Sequence, residues 1–302
     1  MVVENERYKI ECNQDGFIII YNKNKDEKTC LKLFSDKFQY LYEQWCVEPR
    51  LYLTRESKYL IVTYGIGYVY IVDLYTMKTV GEFKLFSEIS YEDDSYQEID
   101  TGCYYNEATE VDFSPSGKYV IIRVRGDYDP QEGDRRKILF TPIYFSSVFV
   151  LNIHTMQIEF QYDGSDMQEE GYNKNMAVIA MDPSENNLLV GALGNDLKLF
   201  GINTGHEIQT FKGLAWRADP CDIRKCQLAL FLDDDNFAYV NKEYNIEIYT
   251  KKNDKEWVCA YEIITSDEKE GNGSKGVRKI YRLEYDKLTD EFICNTNLRY
   301  KR

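Results

Sequence analysis

Histidine is nearly missing from this chain of 302 residues: only His154 and His206 occur. Nucleophilic catalysis by serine or cysteine needs a base beside the nucleophile, and imidazole is the usual one. Zinc chemistry is short of ligands for the same reason. The eight cysteines (Cys12, Cys30, Cys46, Cys103, Cys221, Cys226, Cys259 and Cys294) include no C-x-x-C pair, so a zinc site would have to be assembled from distant elements. They read instead as free thiols packed as small apolar side chains in a reducing compartment. Proline is scarce at six residues, and no Pro-rich linker divides the chain. No window approaches the roughly 18 apolar residues that a membrane-spanning helix needs. The start, MVVENERYKIECNQDG, has no apolar stretch behind a basic end, so no signal peptide is expected and the location is read as cytoplasmic. Basic residues are also in deficit: 37 Lys and Arg face 51 Asp and Glu, a net charge of −14 with a pI near 4.8. A surface this acidic repels phosphate backbones and anionic membranes, and a basic protein or peptide is the favoured partner.

What the chain has is strand-forming material. Aromatic residues make up 15%, with 26 Tyr and 15 Phe, and apolar residues 43%. Tyr and Phe fit a pleated, half-buried surface, and the apolar share suffices for a full core.

Internal similarity organises this material. Four segments share one layout of four short strands: 49–84, 110–161, 177–212 and 227–261. Their first turns are polar: Ser114-Pro115-Ser116-Gly117, Asp182-Pro183-Ser184 and Asp233-Asp234-Asp235-Asn236. Asp, Asn and Ser bond their own backbone, Pro presets φ, and Gly accepts positive φ. Second strands such as Tyr59-Leu60-Ile61-Val62 and Tyr119-Val120-Ile121-Ile122 are continuous apolar runs, the pattern of a strand covered on both faces.

These units resemble WD repeats. Phe113-Ser114-Pro115-Ser116-Gly117 is similar to the turn that ends the family's first strand, and Met181-Asp182-Pro183-Ser184 less closely so. The family's Trp-Asp positions read Val72-Asp73, Leu151-Asn152, Phe200-Gly201 and Tyr249-Thr250, and its Thr-Gly turn survives best as Asn203-Thr204-Gly205. No Gly-His dipeptide precedes a repeat and no true Trp-Asp pair occurs, so the motifs are degenerate and point to no subfamily. The resemblance implies an all-β fold, a single β-propeller of four-stranded antiparallel blades over residues 1–302.

The ends offer three strands at Tyr8–Glu11, Phe17–Tyr21 and Thr29–Phe34, and two at Tyr281–Tyr285 and Glu291–Cys294. Joining 7–34 with 279–299 gives one composite blade, five blades in all, and a ring closed from both termini with no free sheet edge. Six blades is the alternative, with a divergent unit hidden after Phe86.

In the WD family, connections between first and second strands and between third and fourth strands share one face. The remaining connections share the other. Sorted so, the short turns fall on the first face, and Ser35–Glu48, Leu85–Thr109, Gly126–Ser146, Asp163–Met176, Gly213–Cys226 and Ile263–Gly276 fall on the second. Loops beyond roughly 12–15 residues are uncommon unless functional or disordered. The last, with Glu268-Lys269-Glu270-Gly271-Asn272-Gly273-Ser274, reads as a flexible linker.

The others carry aromatics among acids. Candidate partner-binding residues are Tyr91, Glu92, Asp93, Asp94, Tyr96, Tyr104, Tyr105, Tyr128, Asp129, Tyr172 and Trp216, since Tyr and Trp offer large contact area with few rotors. Gly126 to Asp134 lacks calcium-loop spacing, and Gly271 to Gly276 lacks the spacing of a phosphate-binding loop. No metal or cofactor is implied, and no catalytic residue is assigned. The expected function is a non-catalytic interaction platform for a protein or peptide. The alternative is an enzyme or small-ligand binder using the central funnel, with Asp163 or Asp222 as acid or base. A third reading is a subunit of a larger complex.

Overall fold

Alternation along Phe17–Asn22 shows how the chain is read into strands. Ile18, Ile20 and Asn22 are buried while Phe17, Ile19 and Tyr21 are half-buried, the period of two that a pleated strand imposes. A computed structural model describes residues 2–13, 16–33, 49–64, 68–85, 103–129, 143–163, 176–192, 194–215, 227–265, 280, 282–295 and 298–302. The backbone alone is described at 64, 84, 103–109, 125–129, 143–146, 163 and 176–177.

These residues form six antiparallel sheets and no helix. The first holds β1 (Val2–Glu4), β2 (Tyr8–Cys12), β3 (Phe17–Asn22) and β4 (Glu27–Lys32). The second holds β5 (Arg50–Leu53), β6 (Tyr59–Tyr64), β7 (Tyr68–Asp73) and β8 (Lys78–Lys84). The third holds β9 (Cys103–Phe113), β10 (Tyr119–Asp129), β11 (Ile143–Asn152) and β12 (Gln157–Asp163). The fourth holds β13 (Met176–Met181), β14 (Asn187–Ala192), β15 (Leu197–Gly201) and β16 (Glu207–Phe211). The fifth holds β17 (Ala229–Phe231), β18 (Asn236–Val240), β19 (Ile246–Asn253) and β20 (Glu256–Ile263). The sixth has three strands, β21 (Leu283–Asp286), β22 (Glu291–Cys294) and β23 (Leu298–Lys301). In every sheet, strands pair in chain order. Each of these antiparallel meanders has the form of a β-propeller blade.

The two ends do not share a blade among the described strands. Val2–Glu4 pairs with β2 and completes a four-stranded first sheet, while Leu298–Lys301 adds a third strand to the last. The sheet count is therefore six, the alternative number. Any unit hidden after Phe86 would fall at 86–102, outside the described residues.

The chain groups into two units: Met1–Phe113 with Tyr119–Gln157, and Ser114–Lys118 with Ile158–Arg302. In the first, the second sheet is covered on both faces. Leu60 and Val62 join Ile10, Ile18 and Ile20 in one apolar cluster, while Ile61 joins Val120, Ile122 and Phe149 in another. All of these but Phe149 are fully buried, and Phe149 is nearly so, which explains the continuous apolar runs. In the second unit a single cluster runs from Leu189 and Leu197 through Phe237 and Ile248 to Phe292. First strands lie side by side within each unit: β1 by β5 by β9, and β13 by β17 by β21.

Turn chemistry repeats. In Ser114-Pro115-Ser116-Gly117 the Gly117 amide donates to the Ser114 carbonyl at 2.9 Å, with φ +81° at Gly117. At the degenerate Trp-Asp positions the side-chain oxygen caps the following turn: Asp73 accepts from the Tyr75 and Thr76 amides at 2.8 and 2.9 Å, and Asn152 from the His154 amide at 2.9 Å. Asn22 does the same after Tyr21. So does Asp286 in the β21–β22 turn, where the Leu288 amide and then the Thr289 hydroxyl and amide hold its carboxyl below the usual range.

Candidate functional site

The two ends of the sheets differ. At the end carrying the first-to-second-strand turns, neighbouring sheets are tied turn to turn. In the first unit Asn5 Nδ2 donates to Ser57 Oγ at 2.7 Å. In the second, Glu185 accepts from the Ser116 amide at 2.7 Å and the Ser116 hydroxyl at 2.8 Å, and the Ser184 amide donates to Asp234 at 2.7 Å. Burial would raise the Glu185 carboxyl, but donors from Ser114 and Ser116 outweigh it and hold the group below its ordinary value. His154 and His206 sit exposed in third-to-fourth-strand turns, as their spacing suggests.

The long connections all lie at the opposite end, beside short second-to-third-strand turns. They run from Lys32 to Arg50, Lys84 to Cys103, Asp129 to Ile143, Asp163 to Met176, Phe211 to Ala229 and Ile263 to Leu283. Tyr91, Glu92, Asp93, Asp94, Tyr96, Tyr172 and Trp216 lie in these connections, outside the described residues, as does Asp222.

Tyr104, Tyr105, Tyr128 and Asp129 do not lie in loops. β9 and β10 are 11 residues each and β11 is 10, whereas the other first strands have between 3 and 6. Strand takes residues 103–109, 126–129 and 143–146 from the expected loops Leu85–Thr109 and Gly126–Ser146. The sequences Cys-Tyr-Tyr and Ile-Tyr-Phe favour strand, and strand pairing continues through Gly-Asp-Tyr-Asp, expected as the start of a loop. Register sets Tyr104 opposite Tyr128 and Tyr105 opposite Asp127, with a bulge between Arg125 and Asp127. Tyr128 is also opposite Ile143. The backbone thus gathers four of the candidates at the far end of one sheet.

Two charged clusters escaped sequence reasoning. In the first unit Glu110 of β9 pairs with Arg123 of β10 and, at 3.3 Å, with Arg50 of β5. All three side chains are three-quarters buried or more. In the second unit Glu247 and Glu262 are direct cross-strand partners on β19 and β20. Like charges so placed repel, and four neutral side chains offset this. Asn241 Nδ2 donates to Glu247 at 2.8 Å and to Glu262 at 3.0 Å, and Asn245 Nδ2 to Glu262 at 2.8 Å. The Tyr239 and Tyr249 hydroxyls donate to Glu247 at 2.9 and 3.1 Å. Burial and then the Glu247 carboxylate push the Tyr249 hydroxyl up to about 12, and Tyr239 moves the same way. The only sequence signal was an acid in each of two adjacent strands, common in so acidic a chain.

Among the described residues no group of three or more His, Cys, Asp or Glu side chains could hold a metal ion. Among the described residues no helix is long and apolar enough to cross a membrane.

No family model matches the chain, and no curated protein matches it. Among solved structures it is similar to the C-terminal WD40 domain of Sif2, at 13% identity and a TM-score of 0.45, over 78% of this chain and 51% of that one. It is also similar to the β-propeller domain of Myceliophteria thermophila Cps50 (Swd1), at 12% identity and a TM-score of 0.40, over 82% and 67%. The chain spans about half the length of the first. The fold class rests on the chain's own meanders, turn caps and doubly covered second strands.

Proposed function

We propose that this chain is a non-catalytic platform that binds a protein or peptide at the long-connection end of its sheets. One observation carries the reading: the opposite end has short turns hydrogen-bonded to one another, while every long connection belongs to this end. Loops on a rigid scaffold are where binding residues concentrate. The aromatic and acidic residues from Tyr91 to Asp129, with Tyr172 and Trp216, supply the contact chemistry, and the net charge of −14 favours a basic partner over nucleic acid or an anionic membrane. The cytoplasm is the proposed location.

The test uses three forms of the chain: intact, with residues 86–102 and 130–142 each replaced by a short Gly-Ser linker, and with the short turns altered by Lys25→Glu and Leu288→Glu. Circular dichroism checks that each retains its sheets, and cross-linking with mass spectrometry identifies what each captures. The reading expects partners with the intact and turn-altered forms that the linker form loses. Loss following the turn changes, or equal capture by all three, overturns it.

A further inference from the structure

The fourth strands β4, β8, β12, β16 and β20 each lie last in their sheets. Among the described residues their outer edges pair with no strand. Such edges invite pairing with another chain and are commonly blunted by charged side chains. No uncharged stretch exceeds four residues in β4, β8, β12 or β16, whereas Trp257–Tyr261 of β20 gives five, without proline or glycine. Trp, Val and Tyr favour strands, and a strand-forming segment of low charge readily pairs with its own copies. This edge is closed by other means. The side-chain amide of Gln209, on β16 of the fourth sheet, meets the main chain of Trp257 twice. The Trp257 N–H donates to Gln209 Oε1 at 2.8 Å, and Gln209 Nε2 donates to the Trp257 carbonyl at 2.9 Å. Two bonds exchanged with one residue are what a neighbouring strand supplies in an antiparallel ladder. Gln209 thus stands where the peptide groups of an incoming strand would pair. The Trp257 indole, buried against Phe231 and Phe237, anchors the strand at this point.

We propose that the outer edge of β20 is a pairing edge for a second copy of β20, held shut in the single chain by Gln209. Antiparallel pairing centred on Val258 sets Trp257 opposite Cys259 of the copy and Glu256 opposite Ala260. No like charges meet across that stretch, whereas a register centred on Cys259 would oppose Glu256 and Glu262. Two chains of net charge −14 repel one another at longer range, and salt screens that repulsion. Removing the amide and adding salt therefore act in the same direction. The edge lies on the flank of the fifth sheet and involves no long connection, so this inference and the platform reading fail independently.

The same amide could serve only to tie two sheets together, so the experiment separates tying from guarding. The whole chain is compared with three variants under reducing conditions. Gln209→Met keeps the length of the side chain without its amide, and Gln209→Ala removes both. Gln209→Met with Val258→Lys adds a charge at an exposed position of the edge. Sedimentation velocity over a range of concentrations reads association, and amide hydrogen exchange at 257–261 reads the edge. In dilute Gln209→Met the Trp257 amide should exchange roughly tenfold faster than in the unaltered chain. At higher concentration that variant should dimerise, more so in salt, and its exchange at 257–261 should slow again. Val258→Lys should return it to the mass of the unaltered chain. A peptide of sequence 256–263 should bind Gln209→Met more tightly than a scrambled peptide of the same composition. Folded Gln209 variants that keep the unaltered chain's mass at every concentration would overturn the proposal. So would association without protection at 257–261, association that Val258→Lys leaves in place, equal binding of the two peptides, or an unaltered chain already paired through this edge. Loss of the sheets in both single variants, read by circular dichroism, would make the amide a tie alone and would overturn it too.

Discussion

Replacing Asn241 by alanine tests whether the paired carboxylates of the fifth sheet are held in place by their donors. Asn241 is buried, and its amide bridges Glu247 and Glu262 while its Oδ1 accepts from the Glu243 and Asn245 backbone amides, both at 3.0 Å. A hydrogen bond to a charged group is worth roughly 1.5–3 kcal/mol net when buried. Glu262 is exposed, so its bond belongs at or below the lower limit. Adding about 1 kcal/mol for the lost turn bonds, and allowing for relaxation, Asn241→Ala should cost about 3 kcal/mol. Urea unfolding at pH 7 reads this, followed by the fluorescence of Trp257, which is buried in the same sheet, in a Trp45→Phe, Trp216→Phe background. The midpoint should fall with little change in slope. Removing one charge should then rescue: Glu262→Gln in the Asn241→Ala chain should recover about 1 kcal/mol, a coupling that a double-mutant cycle isolates. A loss below about 1 kcal/mol, or strict additivity of the two changes, would refute the view that Asn241 offsets cross-strand repulsion.

Three further outcomes follow from the same geometry. Glu185→Ala should lower stability by about 2 kcal/mol at pH 7. Because the folded carboxyl lies below its ordinary 4.5, its contribution is present above that pH and is lost as pH falls, so in acid urea melts the two proteins should converge. Tyr249, near 10 when unfolded and about 12 when folded, holds its proton more tightly in the native state. Its contribution is complete below pH 10 and is lost as pH rises through 12, so Tyr249→Phe should flatten the alkaline limb of stability measured from pH 8 to 12. Burial pushes the Cys294 thiol up to about 12, whereas Cys30 is exposed. Iodoacetamide at pH 8 should therefore modify Cys30 well before Cys294 in the native protein, as peptide mapping would show, with Cys294 reacting only on unfolding.

Strands were legible where sequence pattern and burial coincide. Tyr59-Leu60-Ile61-Val62 announces a strand covered on both faces, and that is its environment. The capping role of Asx at the degenerate Trp-Asp positions also follows from local chemistry. The strands missed were Val2–Glu4, too short to alternate, and Leu298–Lys301, whose charged positions disguise its period. They were decisive for the ends, since each completes or extends its own sheet. The long β9–β11 ribbon was misjudged because Gly126 and the acids beside it read as part of a loop, while backbone pairing across three strands continued the sheet. The candidate contact residues were chosen from the expected loop positions and from composition, with no view of register or packing. Pattern cannot reach the Arg50–Glu110–Arg123 and Asn241–Glu247–Glu262 clusters, because their members meet through register and packing rather than through spacing along the chain.

Every strand in these sheets pairs with its neighbour in sequence. The chain therefore never waits for a distant segment before it can close a ladder. Loop-closure entropy is met in small increments, the contacts that form sheets are local, and local contacts speed folding. On the ribosome each meander can form as soon as its last strand emerges, and the next can condense upon its exposed apolar face. Order of synthesis thus doubles as order of assembly, with the first sheet awaiting only the second to bury Ile10, Ile18 and Ile20.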